Sequence, residues 1–93
     1  MTTMKRSAEE LQRELLDRAL EPIKPTTLMY ISNMSWVSMN RHLNTLEELG
    51  LITRLDPTPE DDCRTKVLLQ TTAKGVAYLK MIRDTQALLN DIY

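Results

Sequence analysis

The sequence predicts an α+β domain, mostly α, in the order helix, helix, helix, strand, loop, strand, helix. Three observations carry that expectation. Ninety-three residues can support only one core, so residues 1–93 form a single domain. Apolar residues recur at three- and four-residue spacing before Gly50 and again after Thr72, as on the buried stripe of a helix. Between them, two short β-rich segments flank a polar, proline-containing loop, the pattern of a hairpin. With no Phe, one Trp and three Tyr, the interior must be filled by Leu, Ile, Met and Val.

Residues 1–6 read as a loose start. Ser7 followed by Glu10 is a capping-box pattern. It opens a helix through Leu20 with Ala8, Leu11, Leu15, Leu16, Ala19 and Leu20 on one stripe, and Pro22 stops it. Pro25 and Thr26 suit the first turn of a short second helix, with Leu28, Met29 and Ile31 as contacts and Ser32-Asn33 as its end. Ser35 is an N-cap for a third helix reaching Leu49, and Gly50 the residue that leaves it. Two helices joined by so few residues must turn sharply against each other, which is a helix-turn-helix. "LITRL" and "TKVLLQ", separated by "DPTPEDDCR", make the hairpin of residues 51–71. "TTAKG" opens the last helix, residues 72–93, whose apolar positions include Val76, Leu79, Ile82, Leu88, Leu89 and Ile92. Three helices alone have a thin core; the hairpin closes one side and the last helix covers the remainder. This is the order of a winged helix.

Composition narrows the function classes. A net charge of -1 argues against holding nucleic acid by bulk charge alone, but the charges are segregated. Arg64, Lys66, Lys74, Lys80 and Arg83 follow one another with no acid between them, while Asp56, Glu60, Asp61 and Asp62 precede them with no base. A basic face counts by clustering, so the total does not exclude phosphate binding. Cys63, the single cysteine, excludes an intramolecular disulfide. A reduced thiol is expected of it, with a link between subunits as the alternative. No run approaches the ~18 apolar residues of a membrane span, and the charged N-terminus lacks a signal core; a cytoplasmic protein with no membrane partner is expected. One His, one Cys and no glycine-rich phosphate loop offer no catalytic constellation, so no enzyme and no cofactor is expected. His42, lacking a second His, reads as a helix-flank residue rather than a metal ligand.

On the third helix, Met39, Leu43 and Leu46 share a narrow arc that must face the core. Trp36, about 60° from Met39, reads as the edge of that core; the alternative is a sugar or thymine-methyl contact. The opposite side carries Val37, Arg41, Asn44 and Glu48, flanked by Ser38, Asn40 and Thr45. A helix in a major groove needs short polar groups, a guanidinium fork and a methyl-bearing side chain. Val37, Ser38, Asn40, Arg41, Asn44 and Thr45 supply these as candidate base readers. The plain alternative is a solvated face. Thr26, Thr27, Arg54, Arg64 and Lys66 are candidate phosphate contacts. The acidic loop between the strands would repel a duplex, so it either points away or engages something else. Leu88, Leu89, Ile92 and Tyr93 run past what the small core can cover, which predicts a homodimer through the last helix.

"MSWVSMNRHLNTLEELGLI", a hairpin and "TTAKGVAYL" together resemble the winged helix-turn-helix transcription regulators of archaea and bacteria. The matching positions are Ser35, Leu43, Leu46, Gly50, Leu51, Ile52, Thr72, Lys74 and Gly75. Thr27, Met29 and Tyr30 match the short archaeal type, and the resemblance covers residues 8–82. It implies sequence-specific binding of double-stranded DNA and transcriptional regulation, with residues 35–49 as recognition helix and 51–71 as wing. Most of the signature is structural, and winged helices also serve as protein-interaction modules without DNA binding. The operator, the sign of regulation and any small-molecule effector have no signal in the sequence.

Overall fold

The computed structural model describes residues 7–59, 64 and 66–92, the last two by their backbone. Its elements are α1 (Ala8–Arg18), α2 (Pro25–Ser32), α3 (Trp36–Glu48), β1 (Ile52–Leu55), β2 (Leu68–Thr71) and α4 (Ala73–Ile92). The Glu10 amide donates to Ser7 Oγ at 3.1 Å, capping α1. Glu9 and Glu10 in its first turn and Arg18 in its last complement the helix dipole. α1 ends at Arg18 rather than at Leu20, which lies beyond it and is exposed.

Local hydrogen bonding shapes the helix-turn-helix. α2 ends at Asn33, which takes the left-handed conformation (φ 54°, ψ 46°). The Asn33 amide donates to Tyr30 O and the Met34 amide to Met29 O, both at 3.3 Å. α3 ends in the same way around Gly50 (φ 74°): the Gly50 amide reaches Glu47 O at 3.0 Å and the Leu51 amide reaches Leu46 O at 2.9 Å. Both are Schellman closures, which suit Gly and, less often, Asn. Ser35 Oγ accepts from the Ser38 amide at 3.1 Å and starts α3.

β1 and β2 pair antiparallel with Ile52 opposite Thr71 and Leu55 opposite Leu68. The sequence reading places the second strand from Thr65; ladder pairing begins only at Leu68. It also misses a third strand position. Ile23 exchanges two backbone hydrogen bonds with Leu69, at 2.9 and 2.8 Å, covering the outer edge of β2. Pro22 hides this by looking only like a helix stop.

The core is aliphatic: Leu15, Leu16 and Ala19 of the first helical segment, Leu28, Met39, Leu43, Leu46, Leu51, Ile52, Leu69 and Leu79, with Ile23, Met29, Met34 and Tyr78 packed against it. Ile31 lies outside it and is exposed. α4 is fastened by the residues that open it. Thr71 Oγ1 donates to Leu16 O at 2.6 Å, in a buried bond between β2 and α1. Thr72 Oγ1 donates to Gly50 O at 2.6 Å and accepts from the Gly75 amide at 3.0 Å, so it caps α4 and ties it to the end of α3. Lys74 Nζ donates to Leu49 O at 2.7 Å, placing a cation on the terminal carbonyls of α3. Gly75 packs so closely that a Cβ there would lie 2.2 Å from Leu51 O and 2.5 Å from Thr71 Cγ2.

Beyond Gly75, α4 contributes Leu79 to the core and half-buries Tyr78 and Ile82. Val76, read from the sequence as a packing position, is exposed. The 20 residues of α4 outrun the 11 of α1, at about 1.5 Å per residue. Met81, Leu88 and Leu89 therefore remain exposed.

Candidate nucleic-acid interface

α3 separates cleanly into faces. Met39, Leu43 and Leu46 are buried, while Val37, Arg41, Asn44, Thr45 and Glu48 are exposed on the far side. Val37 is 69% exposed, well beyond what packing requires of a β-branched apolar residue. Ser38 and Asn40 are half-buried at the two margins. Thr45 Oγ1 donates to Arg41 O at 3.3 Å, so its proton is committed to its own helix and its methyl and acceptor lone pair remain. On one margin His42 Nδ1 lies 3.1 Å from Gln12 Nε2, joining α3 to α1.

The other margin, where Trp36, Asn40 and Glu47 follow at helical spacing, faces the wing. Glu47 Oε1 takes both Arg54 Nη2 at 2.8 Å and Arg54 Nε at 2.9 Å. Arg54 is thus held at the root of the wing by an ion pair between partly exposed groups. Arg64, Lys66 and Thr26 meet elsewhere: they line a cleft of about 630 Å³ together with Lys24, Pro25, Trp36 and Val67. Thr27 is exposed and borders a neighbouring hollow with Pro22, Ile23, Lys24, Thr58 and Leu68.

Trp36 departs from the core-edge expectation. It is 48% exposed and is no member of the core cluster. It sits on the first turn of α3, beyond the reach of the packed stripe, with Pro25, Val67 and three cations bordering the same cleft. Lys24 has no signal of its own in the sequence; the fold brings it beside Arg64, Lys66 and Val67. Tyr30 is 84% exposed and lies three residues after Thr27, hence on the same face of α2. Its exposure adds to the motif match at Thr27, Met29 and Tyr30.

Glu60, Asp61, Asp62 and Cys63 of the acidic loop and Tyr93 lie outside the described residues, and of Ile92 only the backbone is described. Leu88 and Leu89 are exposed on α4, where Met81, Leu88 and Leu89 share one side. Between α1 and α4, Leu79 and Ile82 floor a cleft of about 430 Å³ rimmed by Glu14, Asp17, Arg18 and Arg83. No helix among the described residues is long and apolar enough to cross a membrane.

A family model described as winged helix-turn-helix matches residues 5–90. No curated protein matches the chain in sequence. Several solved structures share its fold. The multiple antibiotic resistance repressor MarR superposes with a TM-score of 0.71 at 25% identity, over 87% of this chain and 59% of that one. The transcriptional regulator BldR from Sulfolobus solfataricus gives 0.69 at 21% identity, over 88% and 58%. A PadR family transcription regulator from hypervirulent Clostridium difficile R20291 gives 0.71 at 12% identity, over 87% and 92%. The chain thus spans about three fifths of the first two and nearly all of the third.

Proposed function

The chain belongs to the winged helix-turn-helix family, and on that premise we propose that it is a transcription regulator reading double-stranded DNA sequence-specifically through α3. The observation that carries this reading is the outward face of α3, where Val37, Arg41 and Asn44 stand exposed opposite a fully buried stripe. The helix is pinned at both ends, by Ser35 at its start and by Gly50, Thr72 and Lys74 at its end. Its face is therefore presented on a rigid element. In a major groove, the Arg41 fork pairs with the guanine edge, Asn40 and Asn44 with adenine, and Val37 packs on a thymine methyl. Ser38 and Thr45 supply shorter contacts from the margin. Thr26, Thr27, Arg54, Arg64 and Lys66 take phosphates and fix the register.

The exposed Leu88 and Leu89, extended by Ile92 and Tyr93, pair two copies through α4. Two recognition helices then address half-sites about one helical turn apart. The near-neutral charge keeps non-specific association weak and leaves discrimination to α3. Such a regulator works in the cytoplasm, beside its DNA, and needs no catalysis.

The competing reading is a protein-interaction module, favoured by the net charge of -1 and by the acidic residues after Asp56. Selection of bound duplexes from a random pool, followed by mobility shift over a range of salt, separates the two. The DNA reading expects an enriched sequence, steep weakening with salt, and loss of binding in Arg41→Glu with its thermal unfolding unchanged. No enriched sequence together with salt-insensitive association would sink it.

A further inference from the structure

The cleft beside α3 has a chemistry that base reading does not use. Trp36, about half exposed, lines it together with Pro25 and Val67. Lys24, Arg64 and Lys66 line the same cleft, and among the described residues no carboxylate does. Glu47, the acid on the same margin of α3, is turned to Arg54. A flat apolar ring among cations fits a ligand with an apolar face and anions on either side. Along the flank of a duplex groove the bases are stacked inside, so the strand presents deoxyribose rings between phosphates.

We propose that this cleft seats the DNA backbone: the Trp36 indole packs on a deoxyribose, and Lys24 and Lys66 hold the adjoining phosphates. The assignment rests on the DNA-binding reading and extends the footprint from α3 to the segment before α2. Such contacts fix register and orientation rather than sequence. Any duplex therefore serves as probe.

Trp36 is the only tryptophan, so its emission reports on the cleft directly. A fluorescein-labelled duplex of arbitrary sequence at low salt gives binding by anisotropy, and acrylamide quenching gives exposure of the indole. Bound duplex is expected to change Trp36 emission and shield it from acrylamide. Trp36→Ala should weaken binding about tenfold, the scale of losing one ring contact to nucleic acid, and Trp36→Tyr should keep most of it. The double variant Lys24→Gln, Lys66→Gln should flatten the slope of log affinity against log salt by about two, close to 0.9 for each phosphate contact. If anisotropy shows binding while emission, acrylamide access and the Trp36→Ala affinity stay unchanged, the cleft is not a backbone seat and the DNA reading survives. If anisotropy shows no binding at all, the backbone seat falls, and the DNA reading falls with it when selection from a random pool also enriches no sequence.

Discussion

Gly75→Ala sets two effects against each other on α4. In an isolated helix the change would stabilise by about 1 kcal/mol, because Gly loses more backbone freedom than Ala. Here the added Cβ would sit 2.2 Å from the carbonyl oxygen of Leu51 and 2.5 Å from Thr71 Cγ2. Neither neighbour can yield cheaply. Leu51 is backbone at the root of the wing, and Thr71 is fixed through its hydroxyl to Leu16 O at 2.6 Å. Relieving the overlap means lifting α4 from the α3–β1 turn, which stretches the bonds from Thr72 to Gly50 and from Lys74 to Leu49. Overpacking of this kind costs about 1–3 kcal/mol and sometimes more. The contact should outweigh the propensity, leaving the variant about 1–3 kcal/mol less stable. Urea unfolding followed by far-ultraviolet circular dichroism measures this. Equal concentrations for both proteins are essential, because the apparent stability of the proposed dimer depends on concentration. A midpoint equal to or above the parent's would refute the close-packing argument.

Thr71→Val removes the buried donor to Leu16 O while keeping the shape, and should cost about 1–3 kcal/mol in the same assay, with Thr71→Ser close to the parent. Glu47→Ala releases Arg54 from its ion pair; non-specific duplex binding should tighten a few-fold and its salt slope steepen by about 0.9. An unchanged slope would show that Arg54 never reaches a phosphate. Leu88→Glu places a charge on the exposed stripe of α4 and should weaken self-association at least about tenfold by sedimentation. A parent chain that sediments as a monomer at tens of micromolar would remove the α4 dimer altogether.

Much of the fold was legible because its signals are short-range. Ser7 and Ser35 cap the amide three residues on, and Gly50 closes α3 within one turn. The Met39, Leu43, Leu46 stripe follows from helical spacing and is buried as read. The pairing of Ile23 and the exposure of Val76 were not legible, for a common reason. Ile23 pairs with Leu69, far along the chain, and Val76 stays exposed although it follows the spacing of buried Leu79, because no distant segment among the described residues covers it. The candidate base readers were legible as a set, since opposition to a buried stripe defines a solvent face. The candidate phosphate contacts were legible only one by one: Thr26, Arg64 and Lys66 share a cleft, whereas Arg54 is held apart by Glu47.

The sequence by itself determined the order of elements, their caps and the buried side of α3, because hydrogen bonds and periodicity within a few residues decide them. Tertiary structure decided which helix margins are covered. It turned Trp36 towards Lys24 and Lys66, gave Arg54 to Glu47, and pressed Gly75 against Leu51 O. Those outcomes depend on which distant segment packs alongside, and no local pattern of residue types encodes that.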